Sequence, residues 1–335
     1  MSEIPKIRIG ISVGDPNGIG FEIILKTFSD KRIFDFFTPV VFAHHKNLIE
    51  ERKKLGITVS VFSLSNIKNP NNGQLNVVNV WDAPFPIVYG KEQAEAGLHA
   101  ITSLEAATLA LKNGDVDVLV TAPIHKKSIQ SEAFKFPGHT DYLNAQLEGQ
   151  SLMFMVTDQL KVALMSDHIP LKDVVGYLNE DKINTKIALL EKSLIQDFGI
   201  QRPKIAVLGI NPHTGDNGVI GEEDDTLLTP VIKKWNEKGS LVFGPYPADG
   251  FFGNQSYSKF DAVLATYHDQ GLIPFKTLSF GQGVNFTAGL SHVRTSPDHG
   301  TAFDVAGKGV ADPSSFSEAV YRAREIFLKR NEKFS

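Results

Sequence analysis

Short apolar runs alternate with longer amphipathic segments along most of this chain. Apolar runs of about four to eight residues are typical of buried strands, whereas apolar residues at helical spacing are typical of helices that cover a sheet. The alternation therefore predicts repeated βαβ units and an α/β fold. Strands are predicted at 7–13, 39–43, 58–62, 75–79, 116–121, 152–157, 160–165, 204–210, 241–243, 261–266 and 292–294, and helices at 18–28, 46–55, 91–113, 141–148, 171–175, 181–198, 223–238 and 315–331.

The length of the chain, 335 residues, exceeds the usual size of a single hydrophobic core, so we expect two domains. No linker separates them, because the polar, glycine-rich segments are scattered along the chain and follow the predicted strands. We therefore predict interleaved domains, with residues 1–135 and 290–335 in a terminal domain and residues 136–289 in a central domain.

Composition excludes several functional classes. The chain has no cysteine, which excludes disulfides, iron–sulfur clusters, thiolate zinc sites and a cysteine nucleophile. A net charge of −4 gives no overall attraction to nucleic acid or to anionic membranes. No apolar stretch approaches the roughly 20 residues of a membrane span. Residues 1–6 lead into the first predicted strand without the pattern of a signal peptide, so we expect a cytoplasmic protein.

Three histidines follow predicted strands in similar polar surroundings. They are His168, His213 and His268, after the apolar runs 161–165, 205–210 and 262–266. Open α/β sheets bind their ligands at the carboxyl ends of the strands. One histidine in such a place is usually a hydrogen-bonding residue, but three in matching contexts indicate a metal site with an open position for substrate. Asp167 and Asp269 are candidates to hydrogen-bond to such ligands.

Other turns after predicted strands are candidates for anion binding. The glycine-rich segment 14–20 precedes a predicted helix, where main-chain N–H groups can meet an anion. Its spacing does not match the dinucleotide fingerprint Gly-x-Gly-x-x-Gly, and a structural turn explains it equally well. His139 and Thr140 precede another predicted helix, with a solvated loop as the alternative. Arg294 ends a predicted strand, where a guanidinium can bind phosphate or carboxylate through two hydrogen bonds.

Further polar segments have more than one interpretation. Asp249 lies among apolar neighbours and is either a catalytic group or a turn carboxylate. The acidic run 222–225 suits the positive end of a helix. The segment 298–309 is rich in glycine but lacks the spacing of a P-loop. The motifs Gly-x-Ser-x-Gly and His-Glu-x-x-His do not occur.

An ordered set of motifs between residue 14 and about residue 313 resembles the 4-hydroxythreonine-4-phosphate dehydrogenase family. The motifs are Gly-Asp-Pro-Asn-Gly-Ile-Gly, Thr-Ala-Pro-Ile, Pro-Gly-His-Thr, Asn-Pro-His, Tyr-Pro-Ala-Asp, Tyr-His-Asp-Gln-Gly-Leu and Arg-Thr-Ser-Pro-Asp-His-Gly-Thr-Ala. The last motif is also similar to the adenosine-binding loop of isopropylmalate and isocitrate dehydrogenases. The resemblance implies two α/β/α domains of the isocitrate/isopropylmalate dehydrogenase type, with the active site in the cleft between them and the metal histidines and dimer contacts in the central domain.

The resemblance also implies an activity and its cofactors. The activity is oxidation of 4-phosphooxy-L-threonine at C3 by NAD or NADP, followed by decarboxylation to 3-amino-2-oxopropyl phosphate in pyridoxal phosphate biosynthesis. One divalent ion (Zn, Mg, Mn or Co) is expected on His168, His213 and His268, in a homodimer whose partner supplies the third histidine. No nucleic-acid or membrane partner is expected.

The family pattern carries over to two further sets of residues. Expected substrate contacts are His139, Thr140, Lys276, Asn285 and Arg294, and expected cofactor contacts are Asp298, His299, Gly300, Thr301, Ala302 and Asp304. The general base is left open among Asp249, Asp269 and a water relayed through Lys276.

Departures from the family pattern keep other functions open. Phe21 stands where proline is common, Thr214 where alanine is frequent, and Ser291 where proline usually follows Gly-Leu. A paralogous dehydrogenase acting on a threonate or erythronate 4-phosphate therefore stays as the alternative. Two hypotheses from other functional classes are a metal-dependent phosphometabolite-binding protein and a metal-dependent hydrolase.

Overall fold

The computed structural model describes residues 6–332. Residues 1–5, on which part of the signal-peptide expectation depends, lie outside the described residues. The strands are β1 (Ile7–Ser12), β2 (Phe37–Ala43), β3 (Val61–Ser63), β4 (Leu75–Asn79), β5 (Val118–Thr121), β6 (Gly149–Val156), β7 (Lys161–Leu164), β8 (Lys204–Leu208), β9 (Leu241–Tyr246), β10 (Ala262–Ala265), β11 (Val284–Leu290) and β12 (Arg294–Pro297).

The α-helices alternate with these strands, which confirms the predicted α/β class. They are α1 (Gly20–Thr27), α2 (His45–Lys54), α3 (Ala94–Lys112), α4 (His139–Gln146), α5 (Val174–Tyr177), α6 (Glu180–Gln196), α7 (Thr229–Glu237), α8 (Ala248–Gly253), α9 (His268–Ser279) and α10 (Ser314–Asn331). None of the helices described between residues 6 and 332 is long and apolar enough to cross a membrane.

The chain divides into two compact units. Among the described residues, the terminal unit contains 6–149 and 290–327, and the central unit contains 150–289 and 328–332. The sequence prediction placed residues 136–149 in the central domain, whereas here they belong to the terminal unit. The reason is packing, because Tyr142, Leu143 and Leu147 are buried in the same hydrophobic cluster as Phe42 and Leu104.

In the terminal unit the strand order is β3-β4-β2-β1-β5-β12. The pairs β1–β2, β1–β5, β2–β4, β3–β4 and β5–β12 are all parallel. All seven residues of β2 are buried, as expected for a strand of a parallel sheet covered on both faces. Because parallel strands end at the same edge, the segments after β1 and β5 emerge together there.

In the central unit the strand order is β11-β6-β7-β10-β8-β9. Strand β7 is antiparallel to β6 and parallel to β10, and the pairs β10–β8 and β8–β9 are also parallel. The core beneath them contains Val162, Leu164, Leu208, Val263 and Phe275. Strands β7, β8 and β10 precede His168, His213 and His268 respectively, so all three histidines follow strands with the same direction.

Among the α-helices and strands described between residues 6 and 332, α8, β11 and α9 were not predicted. The sequence predicted no helix after the strand 261–266, but His268 is the first residue of the helix α9. The sequence misleads here because Gly271 and Pro274, both unfavourable inside helices, lie within α9. Strand β11 was also not predicted, although Val284, Phe286, Ala288 and Leu290 alternate with the residues between them as strand residues do.

Candidate active site

A buried arginine lies in the sheet of the terminal unit, at the first residue of β12 and not at the end of a strand as the sequence predicted. Arg294 begins β12, and its side chain is 1% exposed. Its Nε and Nη2 atoms donate hydrogen bonds of 3.1 and 2.5 Å to Oγ1 of Thr121, the last residue of β5. Burial lowers the pKa of Arg294 to about 9, so the guanidinium still carries its charge near neutral pH. Such a cation is suited to binding a phosphate or carboxylate.

His139 lies near this arginine, at the first residue of α4. Its Nε2 atom is buried and has no hydrogen-bond partner within residues 6–332. Burial, reinforced by the positive charges of Arg294 and Lys126, holds the pKa of His139 well below its usual range. Thr140 follows it in the first turn of α4. An anion bound beside these groups would supply the missing partner and offset the two positive charges.

The segment expected to bind the cofactor contains no helix or strand over residues 298–312, here named the 298–312 loop. Asp298 is tied to α10, because its main-chain N–H donates to Oγ of Ser315 at 3.1 Å. The Nε2 atom of His299 is buried without a hydrogen-bond partner in the described part of the chain. The space beside Gly300 is open, since a Cβ added there would meet nothing within 4 Å.

The remaining predicted contacts of this loop differ in exposure. Thr301 and Ala302 are half-buried, and Asp304 is exposed. Ala302 has a φ of 45°, in the left-handed region that residues with a Cβ seldom adopt. Such a conformation persists only where neighbouring residues hold it in place.

Two of the three predicted metal ligands lie together in the central unit. The rings of His168 and His268 are 6.1 Å apart between centroids, with 35° between their planes. Nδ1 of His268 is 2.7 Å from Oδ1 of Asp269. In the tautomer whose Nδ1–H donates a hydrogen bond to this carboxylate, the lone pair of Nε2 is available for a metal. Asp167, in contrast, accepts a hydrogen bond of 2.9 Å from the main-chain N–H of His168.

His213 lies in a conformation unusual for a residue with a side chain. Its φ is 53°, and Thr214, Asp216 and Asn217 also have φ values between 45° and 56°. Non-glycine residues in this region are strained and are found preferentially at functional sites. Within residues 6–332 no group of three His, Asp or Glu side chains is placed to hold a metal, so His213 does not complete the pair formed by His168 and His268 in one chain.

The other predicted residues of the central unit have different settings. Lys276 is exposed on α9, about two helical turns after His268. Oδ1 of Asn285, on β11, is buried and has no hydrogen-bond partner among the residues described. Asp249, expected among apolar groups, is exposed instead, because α8 buries Phe251 and turns Asp249 outward.

Two ionisable residues near these sites were missed by sequence reasoning. Lys186 is half-buried on α6, and burial lowers its pKa although Asp167 acts in the opposite direction. Asp15 is fully buried with an unpartnered Oδ2, and burial raises its pKa. Lys186 looks like any helix lysine in the sequence. Asp15 belongs to the glycine-rich segment 14–20, so its motif was the only available signal.

Ionisable residues that follow parallel strands, as His168 and His268 do here, are typical of α/β enzymes. A model of the family described as pyridoxal phosphate biosynthetic protein PdxA matches residues 35–323, and the chain belongs to this family. This confirms the resemblance found in the sequence motifs.

Relatives and solved structures agree with this assignment. The 4-hydroxythreonine-4-phosphate dehydrogenase of Bacteroides thetaiotaomicron is 44% identical over 330 residues, covering 98% of this chain and 91% of that protein. The enzyme of the same name from Sulfurihydrogenibium sp. is 39% identical, covering 98% of this chain and 100% of that protein. The crystal structure of 4-hydroxythreonine-4-phosphate dehydrogenase from Klebsiella pneumoniae has a TM-score of 0.81 and 33% identity, covering 96% of this chain and 100% of that chain.

Proposed function

We propose that this chain is a 4-hydroxythreonine-4-phosphate dehydrogenase. It oxidises the C3 hydroxyl of 4-phosphooxy-L-threonine to a ketone with NAD or NADP, and the resulting 3-oxo acid loses its carboxylate as CO₂. The products are 3-amino-2-oxopropyl phosphate and the reduced nicotinamide. The observation that carries the proposal is the pair His168 and His268, with rings 6.1 Å apart, in a chain of this family.

The donor set of the central unit fits a divalent ion. Both ligands of the pair are imidazoles, and Asp269 is placed to fix the tautomer of His268. The pair leaves coordination positions for a third protein ligand and for substrate oxygens. When bound, the ion acts as a Lewis acid that lowers the pKa of the substrate hydroxyl and stabilises negative charge on the same oxygen during loss of CO₂. Imidazole ligands are compatible with Zn or Co, and substrate oxygens would favour Mg or Mn.

The anionic groups of the substrate need cations, and the terminal unit offers them. Arg294 is buried and charged, and His139 contributes a buried nitrogen without a partner. Thr140 and the N-terminus of α4 add a hydroxyl and main-chain N–H groups. Lys276 and Asn285 are the corresponding candidates of the central unit. The unpartnered Oδ1 of Asn285 accepts hydrogen bonds, which suits the amino group of the substrate.

The nicotinamide cofactor, when bound, takes up the two electrons released at C3. We assign its binding to the 298–312 loop, with Asp298, His299, Gly300, Thr301, Ala302 and Asp304 as contacts. The open side of Gly300 and the unpartnered Nε2 of His299 support this assignment. The proton of the C3 hydroxyl goes to Asp249, to Asp269 or, through water, to Lys276. Asp269 already contacts His268, which favours a supporting role for it over that of the base.

We further propose that the active form is a homodimer in which His213 of the partner subunit completes the metal site. Exposed apolar side chains accompany all three histidine segments. They are Leu171, Val175, Val219, Ile220, Ile273 and Phe280. Groups of exposed apolar residues of this kind mark protein interfaces.

The proposal is tested by following reduced nicotinamide formation at 340 nm with 4-phosphooxy-L-threonine, with and without a chelator. We expect turnover that the chelator abolishes and an added divalent ion restores. His168→Ala should lose about 10³-fold or more in kcat while keeping the fold. His45→Ala, in the terminal unit, is the matched control and should remain active.

Parallel assays distinguish the competing functions. If threonate or erythronate 4-phosphate is turned over faster than 4-phosphooxy-L-threonine, that compound is the substrate instead. Phosphate release without reduced nicotinamide would identify a hydrolase, and binding without either product would identify a binding protein. Full activity of metal-stripped His168→Ala would rule out the proposed mechanism.

A further inference from the structure

The 298–312 loop has few hydrogen bonds of its own. The main-chain N–H of Val305 donates to the carbonyl of Ala302 at 3.1 Å, and that of Lys308 donates to the carbonyl of Val305 at 3.2 Å. Gly307 and Gly309 have φ values of 76° and 71°. A loop of this length with left-handed residues loses its shape unless other parts of the protein hold it.

The first support comes from the glycine-rich segment 14–20. Ile19 donates its main-chain N–H to the carbonyl of Thr301 at 3.2 Å. A Cβ on Gly18 would lie 2.9 Å from the same carbonyl oxygen, so only glycine permits this approach. Gly90, with a φ of 69°, approaches the carbonyl of Phe303, where a Cβ would lie 2.7 Å away. The segment 14–20 and Gly90 therefore both contact the loop through their backbone.

The second support is an ion pair on α1 between the buried Glu22 and the half-buried Lys26. Glu22, which is 4% exposed, accepts a hydrogen bond of 2.8 Å from the main-chain N–H of Ala311. Lys26 donates to the carbonyls of Gly309 and Ala311 at 3.0 and 2.7 Å, and it pairs with Glu22 at 2.7 Å. The Glu22–Lys26 pair therefore binds the end of the loop in two ways. Glu22 accepts from the main-chain N–H of Ala311, and Lys26 donates to the carbonyls of Gly309 and Ala311. Charge-assisted hydrogen bonds of this kind are stronger than neutral ones.

The third support is the ring of Tyr89. A Cβ on Gly307 would lie 2.5 Å from Cγ of Tyr89, so the ring packs directly against the loop backbone. The hydroxyl of Tyr89 donates to the carboxylate of Glu51 at 2.5 Å, and Lys54 donates to that hydroxyl at 3.0 Å. Burial and the carboxylate of Glu51 raise the pKa of Tyr89. The tyrosine is therefore fixed at both its ring and its hydroxyl.

These supports leave the side of the loop at Gly300 open. We propose that Glu22, Lys26 and Tyr89 are positioning residues for the nicotinamide nucleotide, and that they act by holding the 298–312 loop in its cofactor-binding shape. This inference rests on the proposed function, because it takes the loop as the nucleotide site. The segment 14–20, left open in the sequence as a ligand loop or a structural turn, then supports the ligand loop without itself needing to touch the ligand.

The test compares Lys26→Met with wild type, using Lys26→Arg as the conservative variant and Lys53→Met, an exposed lysine of α2, as the matched control. Isothermal titration gives the Kd values for NAD, NADP and 4-phosphooxy-L-threonine, and hydrogen exchange reports on the 298–312 amides. We expect Lys26→Met to raise the nucleotide Kd about tenfold, because ordering the loop then opposes binding. The substrate Kd should change less than about twofold, and exchange in the loop should accelerate.

Steady-state kinetics should show the same division, with a higher KM for the nucleotide and little change in kcat at saturation. Lys26→Arg should restore most of the affinity, and Lys53→Met should match wild type. If Lys26→Met does not fold, Glu22→Gln and Tyr89→Phe provide the same comparison. An unchanged nucleotide Kd, or an equal loss of nucleotide and substrate affinity, would overturn the inference. Wild-type protein that binds neither nucleotide would instead overturn the proposed function.

Discussion

His139 is an imidazole with a buried Nε2 that has no hydrogen-bond partner in the described chain, within electrostatic reach of Arg294 and Lys126. Burial and the two cations both favour its neutral form. A phosphate bound beside it would reverse the electrostatic part of this preference. At the scale of single residues, substrate binding and protonation of His139 are therefore coupled under the proposed function.

Without ligand, we expect protonation of His139 to lower stability. Its pKa is lower in the folded chain than the 6.5 typical of histidine, so the unfolded state takes up the proton first. The free energy of unfolding should consequently fall as the pH drops below about 6.5. His139→Gln removes this titration and should flatten that part of the curve. Urea unfolding of both proteins between about pH 7.5 and 5.5 measures the difference. If the free energies of unfolding of the two proteins change with pH in the same way, His139 does not contribute to the pH dependence of stability.

A second prediction at this scale concerns Asp269, whose Oδ1 is 2.7 Å from Nδ1 of His268. Asp269→Asn should weaken binding of the divalent ion by about 10- to 100-fold, because the imidazole loses the carboxylate that orients it and raises its basicity. Competition with a metal-sensitive dye measures the affinity without any need for turnover. Asp225→Asn, which alters an exposed carboxylate of the same unit, is the control. If both variants bind the divalent ion with equal affinity, Asp269 does not support the metal site.

At the scale of elements, α9 determines where His268 lies. The helix packs against β7 and β10 through Gly271, where an added Cβ would lie 2.9 Å from side-chain atoms of Ala265, Leu164 and Val162. None of these neighbours is a flexible chain end that could move aside freely. The absence of a side chain at residue 271 therefore sets the distance of α9 from the sheet.

Gly271→Ala should destabilise the protein by about 1–3 kcal/mol, since overpacking outweighs the better helix propensity of alanine. Gly250→Ala is the matched control, because Gly250 lies in α8 and a Cβ there meets nothing within 4 Å. It should be neutral or slightly stabilising. Urea unfolding compares the two variants. A stability of Gly271→Ala equal to that of Gly250→Ala would mean that α9 adjusts without cost.

The sequence was sufficient to predict helices and strands whose apolar residues follow a strong pattern, but it did not predict α9. The buried runs of β2 and β8 and the amphipathic α6 follow directly from apolar spacing. In α9, close packing at Gly271 outweighs the low helix propensity of glycine, and no local pattern shows this. The same limit applies to the sites, because the proximity of His168 and His268 depends on the pairing of β7 with β10, which is absent from the sequence pattern.

At the scale of the whole molecule, the placement of His213 requires a second subunit under the proposed function. His168→Ala and His213→Ala should each be inactive alone. Mixed after unfolding and refolding together, they should recover about a quarter of wild-type activity, because half of the dimers are mixed and each mixed dimer holds one intact site. Mixing His168→Ala with His268→Ala is the control and should recover nothing, since those residues are contributed by the same chain. Absence of recovery in the first mixture would contradict a shared site.

The terminal unit is built from two segments separated by residues 150–289 of the central unit. Strand β5 ends at Thr121, whereas its parallel partner β12 begins at Arg294. During synthesis the ribosome must therefore add more than a hundred and seventy residues before β5 can acquire this neighbour. The central strands β6 to β11 emerge in the meantime, so we expect them to fold first on the nascent chain. Translation of an mRNA truncated before codon 294 would yield a protein in which the edge of β5 lacks its partner strand β12. Such an unpaired edge makes the product a target for quality-control proteases.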